Sequence, residues 1–141
     1  TYYNQAGQST GTALERAEWS VIQANAIYLR DAALFHRIGR VIVRTNPADD
    51  RSTSLSLLKS EWESVLPADL PGSNHDLALT VQALGSSGLA WVGSVGTSNR
   101  YAWVSIRSSS TDVDFSTVWR HEVGHNWGCG HSEGGVPEGP P

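Results

Sequence analysis

The sequence predicts an α/β domain, a small sheet with helices packed on it, and three observations predict it. Residues 13–35 contain neither Pro nor Gly and place Ala17, Val21, Ala24, Tyr28 and Ala32 at helical spacing, the mark of a long helix. Four short runs, 40–45, 75–81, 89–95 and 101–106, are rich in aliphatic, β-branched or aromatic residues and are set off by Gly, Pro, Asn and Ser, as strands are. A further helix is expected to carry the stretch Trp119-Arg120-His121-Glu122-Val123-Gly124-His125-Asn126-Trp127-Gly128-Cys129-Gly130-His131, with its end at Gly128.

In chain order, residues 1–11 are polar and read as a loop or the remnant of a strand at Tyr2-Tyr3. Thr10 or Thr12 caps the long helix, and Glu15 completes a capping box with Thr12. That helix is expected to be largely buried, with Trp19 and Tyr28 in the core. Gly39 ends the region, and Asn46-Pro47 bounds the strand at 40–45; residues 49–54 are loop. A shorter helix at 55–65 places Leu55, Leu58, Trp62 and Val65 on one face, with Pro67 and Pro71-Gly72 beyond its end. His75 has no ligand partner nearby in sequence and is read as structural. A glycine-serine turn at 85–88 leads into the third strand. Residues 108–114 form a polar loop from which Asp114 or Ser116 caps the motif helix. Asp112 and Asp114 are also what a calcium site would use, although two carboxylates in a loop are more often caps or solvated turns. No regular pattern follows Ser132.

The chemistry sits in His121-Glu122-x-x-His125. Residues four apart lie one helical turn up on nearly the same face, so His121 and His125 can bring two imidazole nitrogens to one ion. Glu122, next to that face, can reach a water on the metal without being a ligand. Gly128 can take the left-handed backbone that turns the chain back and brings in His131 as third ligand. Three imidazoles leave a fourth position open, which separates a catalytic zinc from a closed structural one. Neutral nitrogen ligands without a thiolate set favour Zn2+, one ion per chain, although nickel or copper fits the same geometry in vitro. A structural site would need Cys129 as fourth ligand; it lies only two residues before His131, and a small buried filler is its better reading. A scheme with a downstream Glu as third ligand would use Glu133 or Glu138, both too close to the helix.

From His121 to His131 the chain resembles the long zinc signature of the metzincin metallopeptidases. Ser132 after the third His is as in matrixins, while the rest looks more like the adamalysins, or reprolysins. His75-Asp76-Leu77-Ala78 followed by Gly88-Leu89-Ala90-Trp91-Val92-Gly93 resembles the strand pair that precedes the zinc helix there. The resemblance implies a metzincin-like catalytic domain with a twisted mixed β-sheet and two long helices, one carrying the zinc motif. It implies a zinc-dependent endopeptidase with Glu122 as general base, His121, His125 and His131 as ligands, and Gly88, Leu89 and Ala90 as the edge strand that pairs with an extended peptide. An edge strand has unpaired N–H and C=O groups that a peptide can satisfy whatever its side chains. Protein or peptide substrates, a monomer and a secreted or extracellular setting are implied in the same way. Metzincins also place a methionine in a tight turn beneath the zinc; this chain has no Met and runs ten residues past His131. The expectation is a single catalytic domain over residues 1–141 that lacks the Met-turn segment and the first strand. A catalytically silent binding module of the same fold is the alternative, and the intact Glu122 argues against it.

Composition narrows the partners. A chain of 141 residues supports one core, and 39% hydrophobic with 17% charged residues is an ordinary globular balance. A net charge of −4, with Lys59 and nine scattered arginines, makes neither a nucleic-acid face nor a membrane-surface patch. No apolar run is long enough to span a bilayer, and the first residues do not form a signal peptide. Cys129, the sole cysteine, rules out an internal disulfide.

Overall fold

The computed structural model describes residues 2–46, 54–65, 75–85, 87–106 and 112–131. Expectations for the loop at 49–53, the prolines after the second helix, the loop at 108–111, Ser132 and the tail fall outside those residues. The element order is α1 (Tyr2–Gln5), α2 (Thr10–Ala32), α3 (Leu55–Ser60, continued by a wider π turn over Glu61–Val65), β1 (Ala78–Gln82), β2 (Ser87–Ala90), β3 (Tyr101–Ser105) and α4 (Asp112–Asn126).

The start of the chain departs from expectation. Tyr2-Tyr3 belongs to the short helix α1 rather than to a strand remnant, and the Tyr2 ring packs on Phe115 of α4 with centroids 5.6 Å apart. The cap of α2 is Ser9, whose hydroxyl accepts from the Thr12 amide at 3.1 Å, in place of Thr10 or Thr12. A hydroxyl one position earlier satisfies the same orphan amides, so the helix gains three residues at its start. It ends at Ala33, which adopts the left-handed conformation with φ 55°.

Only one stripe of α2 is buried, through Ala13, Ser20, Ala24 and Tyr28. Trp19, Ile22 and Leu29 face outward, so Trp19 is not the core residue expected of it, whereas Tyr28 is. The physical reason is that α2 packs mainly on α4 and leaves its far side exposed.

The run at 40–45 is not a strand. Residues 33–45 have no regular structure, and Val41 and Ile42 are exposed. β-branched residues favour extended backbone only where a neighbouring strand completes the ladder, and none of the described strands does so here. The segment is held by other means. The Asn25 carboxamide donates to the His36 carbonyl at 2.8 Å and accepts from the His36 amide at 2.7 Å, and Arg44 pairs with the buried carboxylate of Glu61 on α3.

Among the described residues the sheet has three strands in the order β1-β3-β2. β3 is central, parallel to β1 with Ala78 opposite Tyr101, and antiparallel to β2 with Gly88 opposite Val104. Its burial explains its place: Tyr101, Ala102, Val104 and Ser105 are all buried. β2 is shorter than expected because the chain bends after Ala90. Gly93 takes φ 63°, and the amides of Gly93, Ser94 and Val95 bond to carbonyls at the end of α4 instead of to a strand.

α4 begins at Asp112, so Asp114 and Ser116 lie inside the helix rather than capping it. It is packed between α2 and the β2–β3 side of the sheet. Val123 packs with Ala24 and Tyr28 of α2, and Phe115 packs with Val104 and Ile106. A third cluster joins Leu58 of α3 to Ala78 and Tyr101. The result is a mixed α/β architecture that fixes one long helix against both another helix and a sheet edge.

Candidate metal and catalytic site

α4 carries His121, Glu122 and His125, and its end is built to return the chain. The amide of Cys129 bonds to the Gly124 carbonyl at 2.9 Å and that of Gly128 to the His125 carbonyl at 2.9 Å. Gly128 sits at φ 106°, a value that a side chain would strain, and three residues later His131 faces the helix again.

The three imidazoles converge. His125 Nε2 and His131 Nε2 each lie 3.1 Å from His121 Nε2, and one donor atom from each residue lies within 4.8 Å of the others. Nitrogens bound at ~2.0–2.1 Å to one tetrahedral zinc are about 3.3 Å apart, so the spacing fits. The tautomers fit as well. His125 Nδ1 is 2.7 Å from the Cys129 carbonyl, which can only accept, so Nδ1 carries a proton and Nε2 is the nitrogen that faces the other two rings. Burial, with the neighbouring His125 and His131, holds His121 below the usual histidine pKa and so neutral, as a ligand must be. His125 is buried, His121 half-buried and His131 exposed, leaving the cluster open on one side.

Glu122 lies beside this cluster without belonging to it. Its side chain is 3% exposed and rests against Gly88 of β2, and burial pushes its carboxyl up to about 7. Cys129 is likewise outside the donor group, so the described residues do not form a closed four-ligand site; its buried thiol is pushed above the usual range. Its sulfur packs near Gly124, as a filler would. His75 packs its ring against Trp62 and Tyr101, with centroids 5.2 and 6.3 Å away. Gly88, Leu89 and Ala90 form most of β2, which has β3 on one side and no described strand on the other.

Three supporting groups were not legible as such. Asn126, 1% exposed, donates to the Ser94 hydroxyl at 2.8 Å and the Trp91 carbonyl at 3.1 Å, tying the turn after β2 to the end of α4. Tyr28 donates its hydroxyl to the Arg120 carbonyl at 2.9 Å, and burial keeps it protonated. His36 accepts from the Trp127 indole at 2.9 Å. An Asn next to a ligand His was the available signal for the first. The partners of the other two lie some ninety residues away in sequence, beyond the reach of local pattern.

Comparison with known proteins adds one match. Residues 14–132 match the family described as "Metallo-peptidase family M12B Reprolysin-like". No curated protein matches the chain.

Proposed function

Because the chain belongs to the reprolysin-like M12B family of metallopeptidases, we propose that it is a zinc endopeptidase that cleaves extended polypeptides with the groups just described. His121, His125 and His131 would hold the ion through Nε2, the nitrogens that converge, with Glu122 beside them as the general base. Zinc, when bound, supplies a Lewis acid that acidifies water and polarises the scissile carbonyl. The Glu122 carboxylate takes a proton from the attacking water and passes it to the leaving amine nitrogen. β2 holds the peptide: Leu89, 49% exposed, points away from α4, and the outer backbone edge of Gly88, Leu89 and Ala90 can pair with an extended chain. We place the enzyme outside the cell, acting as a monomer, on the family resemblance. No helix among the described residues is long and apolar enough to cross a membrane.

The observation that carries this reading is the separation of roles at one turn of helix: three nitrogens within metal-binding reach and a buried carboxylate beside them that is not a donor. Replacing Glu122 with Gln keeps size and one acceptor but removes basicity. It should lower kcat for a peptide library substrate by about 10²–10⁴-fold with zinc content unchanged. A zinc-loaded protein that cleaves nothing, with or without Glu122, would instead be a binding module.

A further inference from the structure

Gly88 pairs with Val104 at the middle of β2, and side chains alternate along a strand, so Gly88 and Ala90 share the face that α4 covers while Ser87 and Leu89 are exposed. At this point helix and strand are too close for any side chain. A Cβ built on Gly88 would stand 2.5 Å from both Cγ and Cδ of Glu122, and closer still to Oε1. Real Cβ contacts do not go below about 3.0 Å, and no other described glycine has a neighbour that near. The conflict begins at Cγ, so swinging the carboxylate alone would not relieve it, and a side chain 3% exposed has little space into which to move. Backbone conformation is not the reason for the glycine. Gly88 is absent from the residues at positive φ, so alanine could adopt its backbone.

We infer that Gly88 is a positioning residue for Glu122: the space left by its missing side chain is the slot in which the carboxyl group lies. This deepens the peptidase reading and rests on it. The strand proposed to bind peptide through its outer backbone edge thereby also fixes the base that acts on that peptide. Substrate and proton acceptor are held to one three-residue ruler, and a shift of β2 moves both together.

A double-mutant cycle tests this without relying on activity. In metal-free protein, Gly88→Ala should lower Tm by several degrees, and the loss should largely vanish in a Glu122→Ala background, where Cγ, Cδ and Oε1 are gone. Equal losses in both backgrounds would overturn the inference. Should Gly88→Ala alone not fold, recovery of folding in Gly88→Ala/Glu122→Ala supports it and failure of the double variant overturns it. In zinc-loaded protein, Gly88→Ala should lower kcat for a peptide substrate by about 10²-fold, with KM changed by less than about threefold. A raised KM with unchanged kcat would mean that Gly88 acts on substrate alone. If the unmutated protein cleaves no peptide, the peptidase reading fails, while the thermal cycle still decides where Glu122 is held.

Discussion

A single hydroxyl secures the middle of the metal helix. Tyr28 lies 4% exposed between α2 and α4, where its Oη donates to the Arg120 carbonyl, one residue before the first ligand. Gly124 makes room for it: a Cβ there would stand 3.1 Å from that oxygen. The two are complementary, a polar tip on one helix and a missing side chain on the other. Tyr28→Phe keeps the ring packing and deletes only the donor, so urea unfolding should give a loss of about 1 kcal/mol, the usual net value of one hydrogen bond. A loss near zero would mean that the Arg120 carbonyl is already satisfied within the helix. Gly124 also explains why His-Glu-x-x-His here has a poor helix former in its middle. No local pattern signals that need, because the tyrosine that requires the space is nearly a hundred residues away.

At the level of elements, the end of α4 and the turn after β2 form one unit. Gly93 donates to the His125 carbonyl at 2.9 Å, Ser94 and Val95 donate to the Asn126 carbonyl, and the Asn126 side chain returns two bonds to the turn. The last carbonyls of a helix need partners, and here the continuation of the proposed substrate strand provides them. Asn126→Ala removes the returning bonds and should cost about 2 kcal/mol in urea unfolding. Amide exchange at Gly93, Ser94 and Val95 should quicken while that of β1 stays slow; uniform acceleration would instead mean global destabilisation. Legibility follows the same division. α2, α3, β1 and β3 were readable because their periodicity or composition is local. The run at 40–45 misled because β-branched residues report a fit to a partner strand, and partnership is not local. The placement of His121, Glu122 and His125 was legible, since spacing on a helix is geometry, and Gly128 signalled the turn that brings His131 back. The polar groups that orient them were not, because their partners are brought in by tertiary folding.

Across the whole molecule, His36 joins the parts that hold the site. Its ring lies against Tyr28 of α2 and Trp119 and Trp127 at the two ends of the motif, with centroids 4.9, 5.8 and 6.0 Å away. Both nitrogens are committed: Nδ1 faces the side-chain Oδ1 of Asn25 at 3.0 Å, and Nε2 accepts from the Trp127 indole. That pattern needs the neutral ring, and burial holds the His36 pKa below its usual value. The unfolded chain, with a histidine pKa of about 6.5, therefore binds more protons than the fold on the acid side of that value. The stability contributed by neutral His36 is complete above about pH 6.5 and is lost as pH falls through the lower folded value. Tyr28, the titratable neighbour in ring contact, stays protonated throughout and does not change the sign. His121 is shifted in the same direction and the Glu122 carboxyl, pushed up to about 7, acts in the opposite one, but both are common to unmutated protein and His36→Gln, so the difference between the two isolates His36. Glutamine can keep an acceptor for Trp127 but does not titrate. Urea midpoints measured from pH 7.5 to 4.5 should thus fall more steeply in the unmutated protein than in His36→Gln, with the two curves parallel above about pH 6.5. Parallel curves over the whole range would show that His36 is not held neutral by the fold.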